Sequence, residues 1–184
     1  MKFLDTPRLR LRELSPLDAS LIVSFANNKS INLFLGFASL SSQAGVDDYI
    51  ARAAASASAD PRLSYKLAMT IKPSDSLKGS CWLDIEDSES NNASVGYFVS
   101  ADCWGNGYAT EMMKALIRFG FNNLQLHRIY ANCDQGNAAS RRVLEKIGMT
   151  PEGLLRQHCK RSYGWADVLM YGILRSEWTD IEDA

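Results

Sequence analysis

Apolar and polar residues alternate with period two at several places along the chain, and each such stretch predicts a half-buried strand. Leu9 and Leu11 alternate with Arg8, Arg10 and Arg12, whose side chains form the expected solvated face. Tyr65, Leu67, Met69 and Ile71 alternate with Lys66, Ala68 and Thr70. Cys81, Leu83 and Ile85 then alternate with Ser80, Trp82, Asp84 and Glu86. The turn Lys72-Pro73-Ser74-Asp75 joins these last two stretches into a hairpin. Further strands are predicted over 94–100, around Ile129, Ala131 and Cys133, and near 153–160 and 166–174, with a turn at Gly164 between the last two. Helical spacing fills the gaps. Ser15 caps a helix with Pro16 at its first position and Leu17, Leu21, Ile22 and Phe25 as its buried stripe. A short helix over 30–36 carries Ile31, Phe34 and Leu35. Ser41-Ser42-Gln43 opens a longer one with Val46, Tyr49, Ile50, Ala53, Ala54 and Ala57, stopped by Asp60-Pro61.

The most informative stretch is the strand Val95-Gly96-Tyr97-Phe98-Val99, which leads through Ser100 and a short polar link to Trp104-Gly105-Asn106-Gly107-Tyr108-Ala109-Thr110-Glu111. Ala109, Met112, Met113, Leu116, Ile117 and Gly120 then share one helix face, and Asn122-Asn123 ends the helix. The first backbone N–H groups of a helix lack partners and lie at the positive end of its dipole, so the loop 106–110 is suited to an anion. Gly105 and Gly107 permit positive φ or close approach. The pattern is neither that of a P-loop nor the full dinucleotide fingerprint. A helix links this strand to the one at Ile129, so those two run parallel; the hairpins make the rest antiparallel. Asn137 then caps a helix carrying Ala139, Val143, Leu144 and Ile147, closed by Gly148. The fold class is α/β (α+β), with a mixed, mostly antiparallel sheet of six to seven strands flanked by helices.

Composition narrows the field. A chain of 184 residues is expected to form a single domain over 1–184. Its net charge of −1 gives no footprint for nucleic acid or an anionic membrane. No apolar leader or membrane-length run is present, so a cytoplasmic protein is expected. Cys81, Cys103, Cys133 and Cys159 are widely spaced and, with only His127 and His158 beside them, predict free thiols and no metal site.

Gly-Tyr-Phe-Val followed by Trp-Gly-Asn-Gly-Tyr-Ala-Thr-Glu resembles the acetyl-CoA pyrophosphate loop of the GNAT acyltransferases, whose Arg/Gln-x-x-Gly-x-Gly/Ala signature opens a helix. Gly107 and Ala109 match its last two positions, and Trp104 stands where the family has Gln or Arg. Asn137-x-x-Ser140-x-x-x-Leu144-x-Lys146-x-Gly148-Met149 resembles a second family segment. The opening Thr-Pro-Arg-Leu-x-Leu-Arg and the Trp165-Ala166-Asp167…Glu177-Trp178 ending resemble the RimJ/RimL branch. The resemblance implies an acetyl-CoA-dependent N-acetyltransferase acting by direct attack of a primary amine through a tetrahedral intermediate, with a central parallel strand pair splayed at the cofactor. Its acceptor would be a protein N-terminus of the ribosomal-protein alanine or serine type. A polyamine or antibiotic acetyltransferase and a non-catalytic CoA-binding module are the alternatives, and a homodimer is compatible with each.

The resemblance also implies site residues. Backbone amides from Gly105, Asn106, Gly107, Tyr108, Ala109 and Thr110, with Trp104, would hold the diphosphate. The strand end Tyr97, Phe98, Val99 and Ser100 would pair through its backbone with the pantetheine arm, one N–H there serving as oxyanion donor. Asn137 accounts for itself as an N-cap, and the resemblance adds a pantetheine contact. Ser140 is the implied general acid at the thioester sulfur. Ser94 occupies the position of a family glutamate, which leaves Glu86 as the candidate base, with Asp84 as its rival. Lys146 reads as a solvated charge. Phe34, Phe37 and Tyr49 are placed to shape an acceptor pocket, Tyr163, Trp165 and Asp167 to approach it, and Asp84, Glu86 and Glu89 to favour a cationic acceptor.

Overall fold

A computed structural model describes residues 3–35, 38–87 and 89–179. Among the described residues, eight strands form one sheet: β1 Phe3–Asp5, β2 Leu9–Glu13, β3 Ser64–Ile71, β4 Leu77–Asp87, β5 Asn92–Val99, β6 Arg128–Asp134, β7 Thr150–Arg161 and β8 Gly164–Leu174. The helices are α1 Ala19–Asn27, α2 Lys29–Asn32, α3 Gln43–Ala57, α4 Tyr108–Asn122 and α5 Ala138–Lys146. The strand beyond the expected six to seven is β1, three residues long and too short to show alternation. Strand order is β1-β2-β3-β4-β5-β6-β8-β7, antiparallel throughout except for β5 and β6.

Both sheet faces are covered. Met112, Met113, Leu116 and Ile117 of α4 pack on Leu67, Met69, Cys81, Leu83, Val95 and Ile129. On the other face, Ile22 and Phe25 of α1 and Val46 and Ile50 of α3 pack on Ala68, Leu77 and Phe98. The rings of Phe25 and Phe98 meet edge to face at 5.7 Å, a favourable aromatic geometry. The period-two pattern thus divides each central strand between two cores.

Two expectations near the N-terminus are corrected. Ser15-Pro16 opens a short 3-10 turn instead of α1 itself, and Leu17 is 90% exposed rather than part of a buried stripe. The turn exists to bring Asp18 inward. Its carboxylate accepts from the Ser15 amide at 2.8 Å and from both terminal nitrogens of Arg12 at 2.8 Å. The arginines of β2 are therefore not a plain solvated face, since the Arg12 side chain is only 12% exposed. Ser42 caps α3 as read, accepting from the Gly45 amide. Phe37 and the end of the short helix at Gly36 lie outside the described residues.

The feature that positions the site is the end of the β5–β6 ladder. The parallel register runs from Asn92↔Arg128 to Val95↔Ala131 and stops. Beyond it β5 stays with β4 as far as Gly79↔Val99, while β6 stays with β8 as far as Asp134↔Val168. Each strand follows its antiparallel neighbour, and the two central strands part.

Candidate active site

The parted strands open a cleft of about 740 Å³ that passes through the sheet. The start of α4 forms one wall. Gly107 is its N-cap at φ +78°, and Gly105 has the same φ, a region that side chains other than glycine enter only with strain. The first amides of α4 have no intrahelical acceptor. Gly105, Gly107, Tyr108, Ala109 and Thr110 all line the cleft.

The loop is tied to the start of β2 by Arg8. Its Nη1 donates to the Asn106 carbonyl at 3.0 Å, its Nε donates to Glu111 Oε2 at 2.6 Å, and its guanidinium lies 4.7 Å over the Tyr108 ring. Glu111 also accepts from Thr6 Oγ1 at 2.5 Å and from the Arg8 amide at 3.0 Å. Burial pushes the Glu111 carboxyl up, yet these hydrogen bonds outweigh it and hold the group below its ordinary value. A carboxylate in the first helical turn is thereby neutralised beside an anion site.

Trp104 lines the cleft but is committed to the strand end: its indole N–H donates to the Val99 carbonyl at 2.8 Å. Two expected cofactor residues do not line the cleft. The Asn106 side chain closes its own turn onto the Cys103 and Trp104 carbonyls, and Ser100 is buried with its amide donating to Lys78. Phe98 and Val99 do line it.

On the α4 face, Asn137 accepts from the Ser140 amide at 3.0 Å as the N-cap of α5. Ser140 Oγ in turn accepts from the Tyr97 hydroxyl at 3.3 Å. Burial pushes the Tyr97 phenol up to about 12 and the Cys133 thiol up to about 11, so both stay protonated at neutral pH. Lys146 lines the same wall together with Arg142.

The opposite face of the cleft carries Trp82, Glu86, Ser94, Gly96, Phe98, Tyr130 and Asp134. A Cβ at Gly96 would lie 2.1 Å from the Trp82 ring, so the indole can rest on the strand only because that residue is glycine. Glu86 accepts a hydrogen bond from the Tyr130 hydroxyl, and Tyr130 is the cross-strand neighbour of Ser94. Burial and the bond to Glu86 push the Tyr130 phenol up to about 12. A carboxylate thus reaches the neighbourhood of Ser94 from the next strand. Asp84 does not line the cleft; it accepts from Ser64 and from Lys66 Nζ at 3.1 Å. Asp167 accepts from the Gln157 amide at 2.8 Å and steadies the bulge in β7. Trp165 is 62% exposed, and Tyr163 donates to Asp134.

A glycine-turned helix start beside two parted parallel strands is the arrangement that the family's cofactor loop requires, and a model of the Acetyltransferase (GNAT) domain matches residues 8–150. The chain belongs to the GNAT family. It is an acetyl-CoA-dependent N-acetyltransferase. The N-acetyltransferase p20 of Bacillus licheniformis, itself uncharacterized, is 28% identical over 178 residues, 97% of this chain and 99% of that protein. The ribosomal protein uS5-alanine N-acetyltransferase of Escherichia coli (strain K12) is 27% identical over 85 residues, 46% of this chain and 44% of that protein. The solved structure of RimL, a ribosomal L7/L12 alpha-N-protein acetyltransferase in complex with coenzyme A, matches with a TM-score of 0.84 at 16% identity, covering 94% of this chain and 98% of that one.

For this GNAT acetyltransferase, sequence reasoning missed three side chains. Arg8 was hidden in a stripe whose alternation looks like any solvated edge. Tyr97 and Tyr130 sit in strands as ordinary β-formers; only the register brings their hydroxyls to Ser140 and Glu86.

Proposed function

We propose that this GNAT acetyltransferase modifies the N-terminal amine of a protein, of the alanine or serine type found on ribosomal proteins. The observation that carries the reading is a cleft open on both sheet faces, with helix-start amides on one side and an exposed carboxylate on the other. The amides of Gly107 to Thr110 would hold the diphosphate of acetyl-CoA, and the end of β5 at Phe98 and Val99, beyond its last pairing with β6, would take its pantetheine arm beside Asn137. Bound acetyl-CoA supplies an activated acyl group.

The chain's own residues do the rest. Glu86, fixed by Tyr130, takes the proton from the incoming ammonium so that a neutral amine attacks. A main-chain N–H at the parted end of β5 would serve as the oxyanion donor as charge develops on the carbonyl oxygen. Ser140 Oγ holds the proton that the departing sulfur receives, and the Tyr97 hydroxyl stands behind it as a donor. Two relatives support the acceptor through their names: one acts on an alanine of ribosomal protein uS5, the other is an alpha-N-protein acetyltransferase. Such an acceptor implies a cytoplasmic enzyme, and a homodimer is compatible with the reading.

The test is thiol release from acetyl-CoA with peptides that begin with Ala or Ser, followed by mass spectrometry of the product. Acetylation at the α-amine is expected. Coenzyme A binding without turnover, or acetylation confined to polyamines, would refute the assignment.

A further inference from the structure

The acceptor side of the cleft carries a guanidinium that the steps above leave idle. Arg161, the last residue of β7, lines the cleft with its side chain only 17% exposed. Its Nε is screened from solvent and has no hydrogen-bond partner among the described residues. The nearest carboxylate oxygen is Asp134 Oδ2 at 3.6 Å, too far for a hydrogen bond. Asp134 is already engaged, accepting from the Tyr163 hydroxyl and from the Gly136 amide at 2.9 Å. It compensates the charge of Arg161 without filling its donors.

The strand register fixes the side on which this happens. Ile129, Ala131 and Cys133 face the α4 core, so Tyr130, Asn132 and Asp134 face the other way, toward the acceptor. The Glu86–Tyr130 pair and the Asp134–Arg161 pair therefore stand on one face, with Asn132 between them. A guanidinium presents up to five donors in a planar fork, and leaving a donor unmet away from water is costly; here Nε is the one so screened.

We infer that Arg161 reads a carbonyl or carboxylate oxygen adjoining the amine that is acetylated, so that the acceptor is an α-aminoacyl group and not a polyamine. The inference rests on the acetyl-transfer reading and narrows its acceptor. A polyamine offers no acceptor atom to the fork and brings further positive charge against it. A peptide N-terminus and a free amino acid share the required chemistry.

Binding separates these outcomes from turnover. L-alaninamide and isopropylamine have the same branched frame and differ in the carboxamide. Each is titrated calorimetrically into the coenzyme A-loaded protein, as wild type, Arg161→Ala and Arg161→Lys. Wild type is expected to prefer alaninamide, and Arg161→Ala to reduce that preference about tenfold or more, the range for a hydrogen bond to a charged group. Lys restores part of it, lacking the planar fork. Free L-alanine distinguishes the sources: tighter binding than alaninamide means that a carboxylate is read, and weaker binding means a peptide carbonyl. Coenzyme A affinity checks the fold of each variant. The inference is overturned if wild type binds isopropylamine or spermidine at least as well as alaninamide, or if Arg161→Ala leaves the preference within about twofold. Arg161-dependent binding of alaninamide with no acetyl transfer to it would instead refute the proposed acceptor assignment, and with it the step from the Arg161 contact to the acetylated amine.

Discussion

Replacing Arg8 by alanine tests how the anion loop is held. The substitution removes the 2.6 Å bond to Glu111 and the 3.0 Å bond to the Asn106 carbonyl. A hydrogen bond to a charged group contributes about 1.5–3 kcal/mol when well shielded. The Arg8 side chain is 49% exposed, so solvent screening lowers that figure, and Glu111 keeps Thr6 and the residue 8 amide as donors. The expected loss is about 1–2 kcal/mol in unfolding free energy. Asn106 immediately precedes Gly107, so the loop loosens too, and the Kd for coenzyme A should rise by roughly threefold to tenfold. Urea unfolding and calorimetric titration measure the two effects. Acidity supplies an independent check. The folded Glu111 carboxyl lies below its ordinary value, so its contribution is present above the unfolded pKa and is lost as pH falls through the folded one. The stability gap between wild type and Arg8→Ala should hold from neutral pH down to about pH 5 and shrink below about pH 4. A gap that widens on acidification, or a variant matching wild type in both stability and Kd, refutes the clamp.

Ser140→Ala should lower kcat by about 10² or more while coenzyme A still binds, with Tyr97→Phe causing a smaller loss; a kcat within about threefold of wild type for Ser140→Ala removes the proton-donor role. Gly107→Val forces a branched side chain to φ +78° and should weaken coenzyme A binding at least about tenfold, read by titration. Asp18→Ala leaves the buried Arg12 with the exposed Asp75 carboxylate, at 3.0 Å, and the Glu13 and Asp75 main-chain carbonyls, and should cost about 2–3 kcal/mol in denaturant unfolding.

Much of this architecture was legible because its cause is local. Alternation in 65–71 and 79–86, the Ser42 and Asn137 caps, and the glycines before Tyr108 each follow from geometry over a few residues. The splay of β5 from β6 was expected only through the family resemblance, since no local pattern marks where a ladder stops. What stayed hidden depends on register. Arg12 reads as a surface arginine until the 3-10 turn brings Asp18 beneath it. Leu17 reads as core because the helical period was extended one turn too early. Glu86 was the candidate base in sequence and Asp84 its rival, the two being two residues apart on one face. Tyr130 claims the first, whereas Lys66 and Ser64 claim the second. Arg161 carries no pattern in the sequence, since the missing partner of its Nε is a tertiary fact.

The central claim is that main-chain groups at the parted strands and the α4 start receive the cofactor together. Amide hydrogen exchange with and without coenzyme A measures this at both places. Slower exchange over 96–99 and over 107–110, with no comparable change in β1 to β3, is the predicted result. Coenzyme A binding that protects neither segment, or protects only residues remote from the cleft, would contradict it.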